Sequence, residues 1–582
     1  MKKLLSLFLA FSVSATLLSC LTSCAQKPDT GNTDTGNTES VETTESSTSS
    51  DLPDSPDLPD YPDISADFYI QVNEGWCALG SCKNSAWNEN TLTIPPYYQG
   101  YPLQMISVAA LRDLTSLETV ILPDTMRVIC KNAFRGSDNI KYNAYGGALY
   151  LGTETNPYFA LICAENTEIT SCEFHPDTKI VAQNAFEDCV SLKNVTLSDG
   201  LISMGENAFL NCDQIQYTEY NGSFYLGSAT NPYFSLIKRK NFTTKKCVLH
   251  ADVKRIESGA FADLDIISIT FPQGLSYIST NAFSSTSGNF DVTLPDGVLV
   301  ESKAFYFARI NSLTIHQGAE FQSHAFQSAY VKTVTFKNGC TKVAPGIFYG
   351  CFSLTSVHLP ESMTHIGNAA FRQCIALKNI NIPSKLTHLG KEAFMGCSAI
   401  ASVTLPDTLK EIGNYAFSGC EGLTSVYLPS NITDIGEHAF SYCDQLKSVV
   451  IDSHITVLPS NIFFNSTELE TVQLPGTLKK IDSHAFKECK SLKIITIPEG
   501  VTEIGKGAFY NCIRMKIVNL PRSLTKIDAG AFSCGSVVFS ATITYPGTEK
   551  EFARIQKIST SSSTKDYYLN NVVCNTAPIT LP

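Results

Sequence analysis

AFMGCSAIASVTLPDTLKEIGNY spans residues 393–415, and AFSGCEGLTSVYLPSNITDIGEH follows without a gap over residues 416–438. Both blocks open on Ala-Phe, carry Cys at the fifth position, and continue through V-x-L-P to I-G. Working outward, the same anchor recurs at Ile347-Phe348, Ala370-Phe371, Ala439-Phe440, Ile462-Phe463, Ala485-Phe486, Ala508-Phe509 and Ala531-Phe532, making eight consecutive steps of 23 residues. Upstream it continues at Ala325-Phe326, Ala304-Phe305, Ala282-Phe283 and Ala260-Phe261, with steps of 21 or 22. Ala208-Phe209, Ala185-Phe186, Ala133-Phe134 and the variant Ala110-Leu111 bring the total to 17 anchors. A chain of 582 residues would otherwise suggest about four ordinary domains, but fixed self-similarity at this period predicts one repeat array.

The spacing also predicts the shape of each unit. V-x-L alternates with period two, so Val and Leu point to one side, and the proline after them ends the strand. L-x-x-I-G gives a second apolar edge, where glycine is expected to permit a tight bend. One unit has too few apolar residues to close a core, so neighbours must stack. The expected fold class is a β-rich solenoid of about 23 residues per repeat, with parallel strands on a concave face and short helical or 3-10 turns elsewhere.

The residue between Val and Leu should then face outward. These residues are His358, Asn381, Thr404, Tyr427, Val450, Gln473, Thr496 and Asn519. Two positions earlier lie Ser356, Asn379, Ser402, Ser425, Ser448, Thr471, Ile494 and Ile517, which are expected on the same face. This set is polar, uncharged and mixed with a few apolar residues, as a ligand face for a protein or glycan would be.

The unit resembles the BspA-like leucine-rich repeats of bacterial surface proteins. The resemblance covers roughly residues 65–560 and rests on A-F-x-x-C-x-x-L-x-x-V-x-L-P, with Cys where the common leucine-rich repeat carries Asn. It implies an extracellular or cell-surface protein, with adhesion to host proteins known among members. Two insertions share a further signature of that family. Tyr150-Leu151-Gly152 leads to Asn156-Pro157-Tyr158-Phe159, and Tyr225-Leu226-Gly227 leads to Asn231-Pro232-Tyr233-Phe234. They fall near 140–170 and 217–245, each stretches its anchor step to 52 residues, and each reads as an inserted β-hairpin.

The ends carry an address. Lys2 and Lys3 precede an apolar run, Leu4 to Leu18, too short to span a bilayer as a helix. Leu21-Thr22-Ser23-Cys24 resembles a bacterial lipobox with Cys24 as the lipidated residue; Leu17-Leu18-Ser19-Cys20 fits nearly as well, and an ordinary secretory signal is the remaining alternative. Cys24 is preferred because linker composition begins at Ala25. From Ala25 to Asp63 there are ten acidic residues and one base, Lys27, with proline at short intervals. Such a segment is a solvated tether with an r.m.s. reach of about 35 Å. The expected organisation is a lipoprotein signal peptide over 1–23, a tether over 24–64, an N-terminal cap over 65–109, repeats over 110–535, and a C-terminal cap and tail over 536–582. Trp76 and Trp87 are expected to cover the first end of the core, and a helix-like stretch from Glu549 to Lys557 the second. The stretch ending Thr580-Leu581-Pro582 carries no sorting motif with a hydrophobic tail, so any anchor is expected at the N-terminus.

Composition narrows the function classes. Lys+Arg number 43 and Asp+Glu 55, giving −12, and this acidic balance argues against a nucleic-acid partner. Hydrophobic residues at 43% and charged residues at 17% exclude a wholly disordered chain. Nine cysteines occupy one slot, three residues after the anchor Phe: Cys189, Cys212, Cys351, Cys374, Cys397, Cys420, Cys443, Cys489 and Cys512. Ser466, Ala308 and Ala329 take the same slot, so small size rather than thiol chemistry is expected there, and a straight column cannot surround a zinc ion. Cys77 and Cys82 lie outside the column, and their spacing leaves a local disulfide open. His324, His438 and His484 each precede an Ala-Phe anchor and are expected in solvent. H-E-x-x-H, G-x-S-x-G and phosphate-binding loops are absent from the sequence, so no enzyme, cofactor or metal is expected. The reading is a lipid-anchored, surface-exposed protein that binds a protein or glycan, with a periplasmic scaffold for the cell's own proteins as the alternative.

Overall fold

A computed structural model describes residues 63–558, except 74–75, 84–86, 241–244 and 535–540, and also residues 572–574. The proposed signal peptide, Cys24 and nearly all of the tether lie outside the described residues. Each 23-residue unit forms one turn of a parallel β-solenoid. Val-x-Leu segments build a first ladder, as in Thr333–Phe336, Ser356–His358 and Asn379–Ile380, then Ser425–Leu428, Ser448–Ile451 and Thr471–Gln473. The x-I-G segments build a second, as in Lys342–Val343, His365–Ile366, His388–Leu389, Glu411–Ile412 and Asp434–Ile435. Within each run residues pair with their equivalents in the next turn; the first ladder is interrupted at 401–405 and between Thr471–Gln473 and Ile494–Thr496, and the second between Asp434–Ile435 and Val457–Leu458. The second ladder is additional to the one sheet expected from the sequence.

The third side is not helical. At the Ala-Phe corner the N–H groups of Glu392, Phe394 and Gly396 donate to the carbonyls of Asn414 (2.8 Å), Ala416 (2.8 Å) and Ser418 (2.7 Å) of the next turn. Two residues per corner take left-handed backbone: the one before Ala, such as Glu392 (φ 58°), and the one before Cys, such as Gly396 (φ 74°). Asn, Asp and Gly recur at these places because they tolerate that region best. Among the described residues the α-helix is Glu549–Ala553 alone, capped by Thr548, whose hydroxyl accepts from the Glu551 N–H. The expected helix to Lys557 therefore ends early, because Gln556–Lys557 instead pairs with Lys526–Ile527 and closes the second ladder.

The core is a column of phenylalanines. Phe261, Phe283, Phe305 and Phe326 stack 4.7 Å apart, and Phe371, Phe394, Phe417 and Phe440 continue at 5.4, 5.4 and 5.3 Å. The inward Leu, Ile and Val of both ladders complete one hydrophobic cluster running from Tyr225 to Ile555.

Glycine in I-G serves close approach rather than the expected bend. A Cβ on Gly413 would lie 2.4 Å from Lys391 N, and one on Gly436 would lie 2.2 Å from Asn414 N, both backbone atoms of the preceding turn. Gly413→Ala is therefore expected to lower unfolding free energy by about 1–3 kcal/mol. Gly476→Ala, where nothing lies within 4 Å, should leave it unchanged. Urea denaturation of the two variants checks the difference.

Both insertions hold three antiparallel strands, one more than a hairpin. Asn143–Tyr145, Ala148–Leu151 and Ala160–Ala164 join in parallel to Ile180–Val181. Thr218–Tyr220, Ser223–Leu226 and Ser235–Arg239 join likewise to Arg255–Ile256. The N-P-Y motif seals them. Asn156 Nδ2 donates to the Asp177 carbonyl (2.9 Å), and Tyr158 stacks on His175 at 3.9 Å between ring centroids. Asn231 and Tyr233 repeat this on Asp252 (2.8 Å) and His250 (3.6 Å).

At the first end, Phe68–Asn73 and Trp76–Cys82 form a hairpin that joins Tyr101–Ile106 in parallel. Trp87 packs edge-on against Phe68 at 6.0 Å. The open question of a Cys77–Cys82 disulfide is settled by the strand that holds both. Five residue steps of extended strand separate their Cα atoms by about 16 Å, against a limit of about 7 Å for a disulfide.

Candidate functional site

The first ladder sorts its side chains by alternation. Val357, Val426, Val449 and Ile495 are buried, as are Leu359, Leu405, Leu428, Ile451, Leu474 and Ile497. Between them, His358, Asn381, Thr404, Tyr427, Gln473 and Thr496 are exposed, and Val450 is half-buried. Asn379, Ser402, Ser425 and Thr471 are also exposed, whereas Ser356, Ser448 and Ile494 are half-buried. Register aligns these into columns: Tyr427 beside Val450 and Gln473, and Ser425 beside Ser448 and Thr471.

The row is shorter than the sequence suggested. Asn519 is only 2% exposed and Ile517 7%. The strand Thr542–Tyr545 adds to the ladder beside them, and Thr544 Oγ1 donates to Asn519 Oδ1 (2.8 Å). Asn519 therefore belongs to the closing end of the solenoid, and the open row stops at Thr496. Asn381 is exposed but committed: its Nδ2 donates to the Leu359 carbonyl (2.6 Å) and its Oδ1 accepts from the Leu359 N–H (2.9 Å). The amide thus extends the ladder where the strand Asn379–Ile380 stops. Tyr427 is 50% exposed and donates through its hydroxyl to Asp452 (3.0 Å). That hydrogen bond raises the phenol above its ordinary value. Asp452 lies one turn on, outside the period-two pattern, so the alternation could not point to it.

The family model for the BspA type leucine rich repeat region, in six copies, matches residues 88–147, 162–244, 237–354, 341–470 and 456–560. The chain belongs to the BspA-type leucine-rich repeat family. No curated protein matches it. Among solved structures, it is similar to a leucine-rich repeat protein from Bacteroides ovatus at 21% identity and a TM-score of 0.45, covering 89% of this chain and 100% of that one. A leucine rich cell surface protein from Faecalibacterium prausnitzii is 20% identical with a TM-score of 0.32, covering 87% and 100%.

In this BspA-type protein the cysteine column is a set of donors as well as a set of small residues. The Cys397 thiol donates to the Phe371 carbonyl of the preceding turn (3.1 Å), Cys374 to Phe348 (3.2 Å) and Cys489 to Phe463 (3.2 Å). Ser466 makes the same bond to Phe440 (3.0 Å). Burial holds the thiols of Cys374, Cys397, Cys420 and Cys443 well above their ordinary range, which suppresses thiolate nucleophilicity. Cys397→Ala is expected to cost about 0.5–1.5 kcal/mol by removing one of the two hydrogen bonds to the Phe371 carbonyl, which keeps the one from the Cys374 N–H, while Cys397→Ser should retain more of the stability. Thermal unfolding of the pair separates donor from size. Among the described residues no three His, Cys, Asp or Glu side chains gather as a metal group.

The histidines before the anchors are not in solvent as expected. His324, His438 and His484 hold the left-handed corner position at φ 68°, 58° and 59°. All three are half-buried, and His438 stacks on Tyr415 at 4.5 Å. Burial lowers the pKa of each.

Proposed function

We propose that this chain is a non-enzymatic, exported lipoprotein that binds a protein or glycan partner through the outer row of its first ladder. The observation that carries this reading is the outward row from Ser356 to Thr496, mostly polar and uncharged, exposed or half-buried along runs of parallel ladder. Such a surface offers hydrogen-bond donors and acceptors at fixed spacing with little ordering cost on binding. Cys24 supplies the lipid anchor, and residues 24–64 the tether that lifts the solenoid from the envelope. Outward exposure makes a host surface or extracellular matrix the setting for the partner. Nucleic acid does not suit a chain of net charge −12.

Brief protease treatment of intact cells tests the placement. Digestion of the repeat region, while a periplasmic control survives, is the expected result. Survival until the cells are opened favours the internal scaffold. With a partner in hand, Thr404→Lys combined with Gln473→Lys should weaken binding at least about tenfold without changing thermal stability. Unchanged affinity in that double variant would remove the row as the site.

A further inference from the structure

The Ala-Phe corner changes character over four successive turns, each of which leaves one large apolar side chain open there. Phe307 and Tyr330 are each 38% exposed, Ile375 45% and Phe352 47%. Tyr330, Phe352 and Ile375 hold one repeat position, directly after the small residues Ala329, Cys351 and Cys374. The Phe307 and Tyr330 ring centroids lie 6.4 Å apart, and the Arg309 guanidinium lies 5.0 Å from the Tyr330 ring centre. The Phe352 ring reaches over Gly350, where a Cβ would stand 3.8 Å from its Cζ. A basic column runs beside the apolar one. The Thr355 N–H donates to the Lys332 carbonyl (2.9 Å), and the Lys378 N–H donates to the Thr355 carbonyl (3.1 Å). Lys332 and Lys378 are therefore two turns apart, about 10 Å. Both are exposed, as is Arg309, and among the described residues none of the three has a carboxylate at ion-pair distance. Between Glu301 and Glu392 the chain holds nine Lys and Arg against two acids, Glu320 and Glu361, a balance of +7 in a chain of −12. Of the two flanking acids, Glu301 is buried and Glu392 is paired with Arg372.

We propose that this corner binds an acidic polysaccharide, with its carboxylate or sulfate groups on Arg309, Lys332 and Lys378 and its sugar rings on Tyr330 and Phe352. A guanidinium stacked on a ring keeps its in-plane N–H groups free to hold an oxyanion by two bonds. The face of an aromatic ring carries negative charge density and attracts the polarised C–H face of a pyranose. Covering the corner with a neutral apolar surface would bury three cations without counter-ions, whereas an anionic ligand neutralises them as it covers the rings. A sugar chain offers C–H faces between its charges, as the corner offers rings between its bases; a nucleic acid carries a phosphate at each residue. Lys332 and Lys378 directly precede Thr333 and Asn379, so the site adjoins the first ladder without requiring that its outer row bind anything.

Heparin titrated calorimetrically into the full chain is expected to bind, with an affinity that falls as salt rises. Lys332→Gln combined with Lys378→Gln should weaken it at least about tenfold and flatten the salt dependence. Phe352→Ser should weaken it about three- to tenfold and leave the salt dependence unchanged. Lys447→Gln, at the same repeat position as Lys378 but followed in its column by Glu470, should change neither. If a variant folds poorly, heparin protection of Lys332 and Lys378 from acetylation in the unaltered chain gives an independent readout. Absence of heparin binding, an unchanged isotherm in the double lysine variant, or no protection of the two lysines overturns the site. Single-stranded DNA of equal charge or neutral dextran binding as tightly as heparin, or full affinity in Phe352→Ser, overturns the assignment to an acidic polysaccharide. None of these variants alters the outer row of the first ladder, so their failure is separate from a failure of that reading.

Discussion

Phe417→Ala is expected to lower the stability of the repeat array by about 3–5 kcal/mol, the range for emptying a buried aromatic site. The ring is fully buried between Phe394 at 5.4 Å and Phe440 at 5.3 Å. Its backbone is engaged on both sides: the Phe417 N–H donates to the Ala439 carbonyl (2.8 Å), and its carbonyl accepts from the Cys443 thiol (3.3 Å). A globular core could close partly over the gap. A solenoid turn cannot, since its neighbours are fixed by two ladders at a common spacing. Stability in such an array is close to a sum of units and nearest-neighbour interfaces. The lost stacking therefore weakens the interfaces of turn 416–438 with both neighbours and divides the array at that turn. Urea unfolding should broaden, and circular dichroism and tyrosine fluorescence should no longer give one midpoint. Phe417→Leu, which keeps most of the volume, should preserve a single transition. A sharp transition within about 1 kcal/mol of the unaltered chain would contradict the role given to the column.

Much of this was legible because the repeat imposes it. The alternation around Val426, Tyr427 and Leu428 gives two buried side chains and an exposed one, and the same alternation repeats in the next turn at Val449 and Ile451. What the period could not show depends on features that break it or act across turns. Asn519 has the sequence of an outward residue, but a strand more than 20 residues later pairs beside it. Gly413 looks like a bend, yet its cause is a backbone atom of the preceding turn. Glu392 and Tyr415 occupy left-handed positions with no glycine to mark them, since the corner is fixed by the N–H bonds it makes to its neighbour. Cysteine at a slot that also takes alanine suggests size alone; only the Phe371 carbonyl beneath Cys397 shows the donor. The stack of His365 on His388 is visible in sequence as equal positions of adjacent units, but the threonine contacts at each Nδ1 are not.

The largest departure from the repeat lies after the second insertion. Arg255 occupies an outward position of the second ladder, where other turns place Lys342, His365 or Glu411, yet it is 2% exposed. The inserted strand Ser235–Arg239 pairs beside it, and its guanidinium lies 3.8 Å from the Tyr277 ring centre. Nε donates to Glu257 Oε1 (2.8 Å), and Nη1 donates to the carbonyls of Ile202 (2.6 Å) and Leu201 (3.3 Å). Glu257 Oε1 also accepts from the buried Ser235 hydroxyl (2.5 Å). One cation thus satisfies a carboxylate and two backbone carbonyls where the inserted strands meet the regular turns. Arg255→Ala should cost about 3–5 kcal/mol, because Glu257 then stays buried without its counter-ion. Arg255→Met with Glu257→Met removes both charges and should recover most of that loss, short of the full amount because Ser235 and the two carbonyls lose partners. Hydrogen exchange should place the single variant's loss between residues 201 and 301, as nearest-neighbour coupling requires. If the double variant is as unstable as the single one, the packing of the long side chain over Tyr277, rather than the charge pair, is what joins insertion to solenoid.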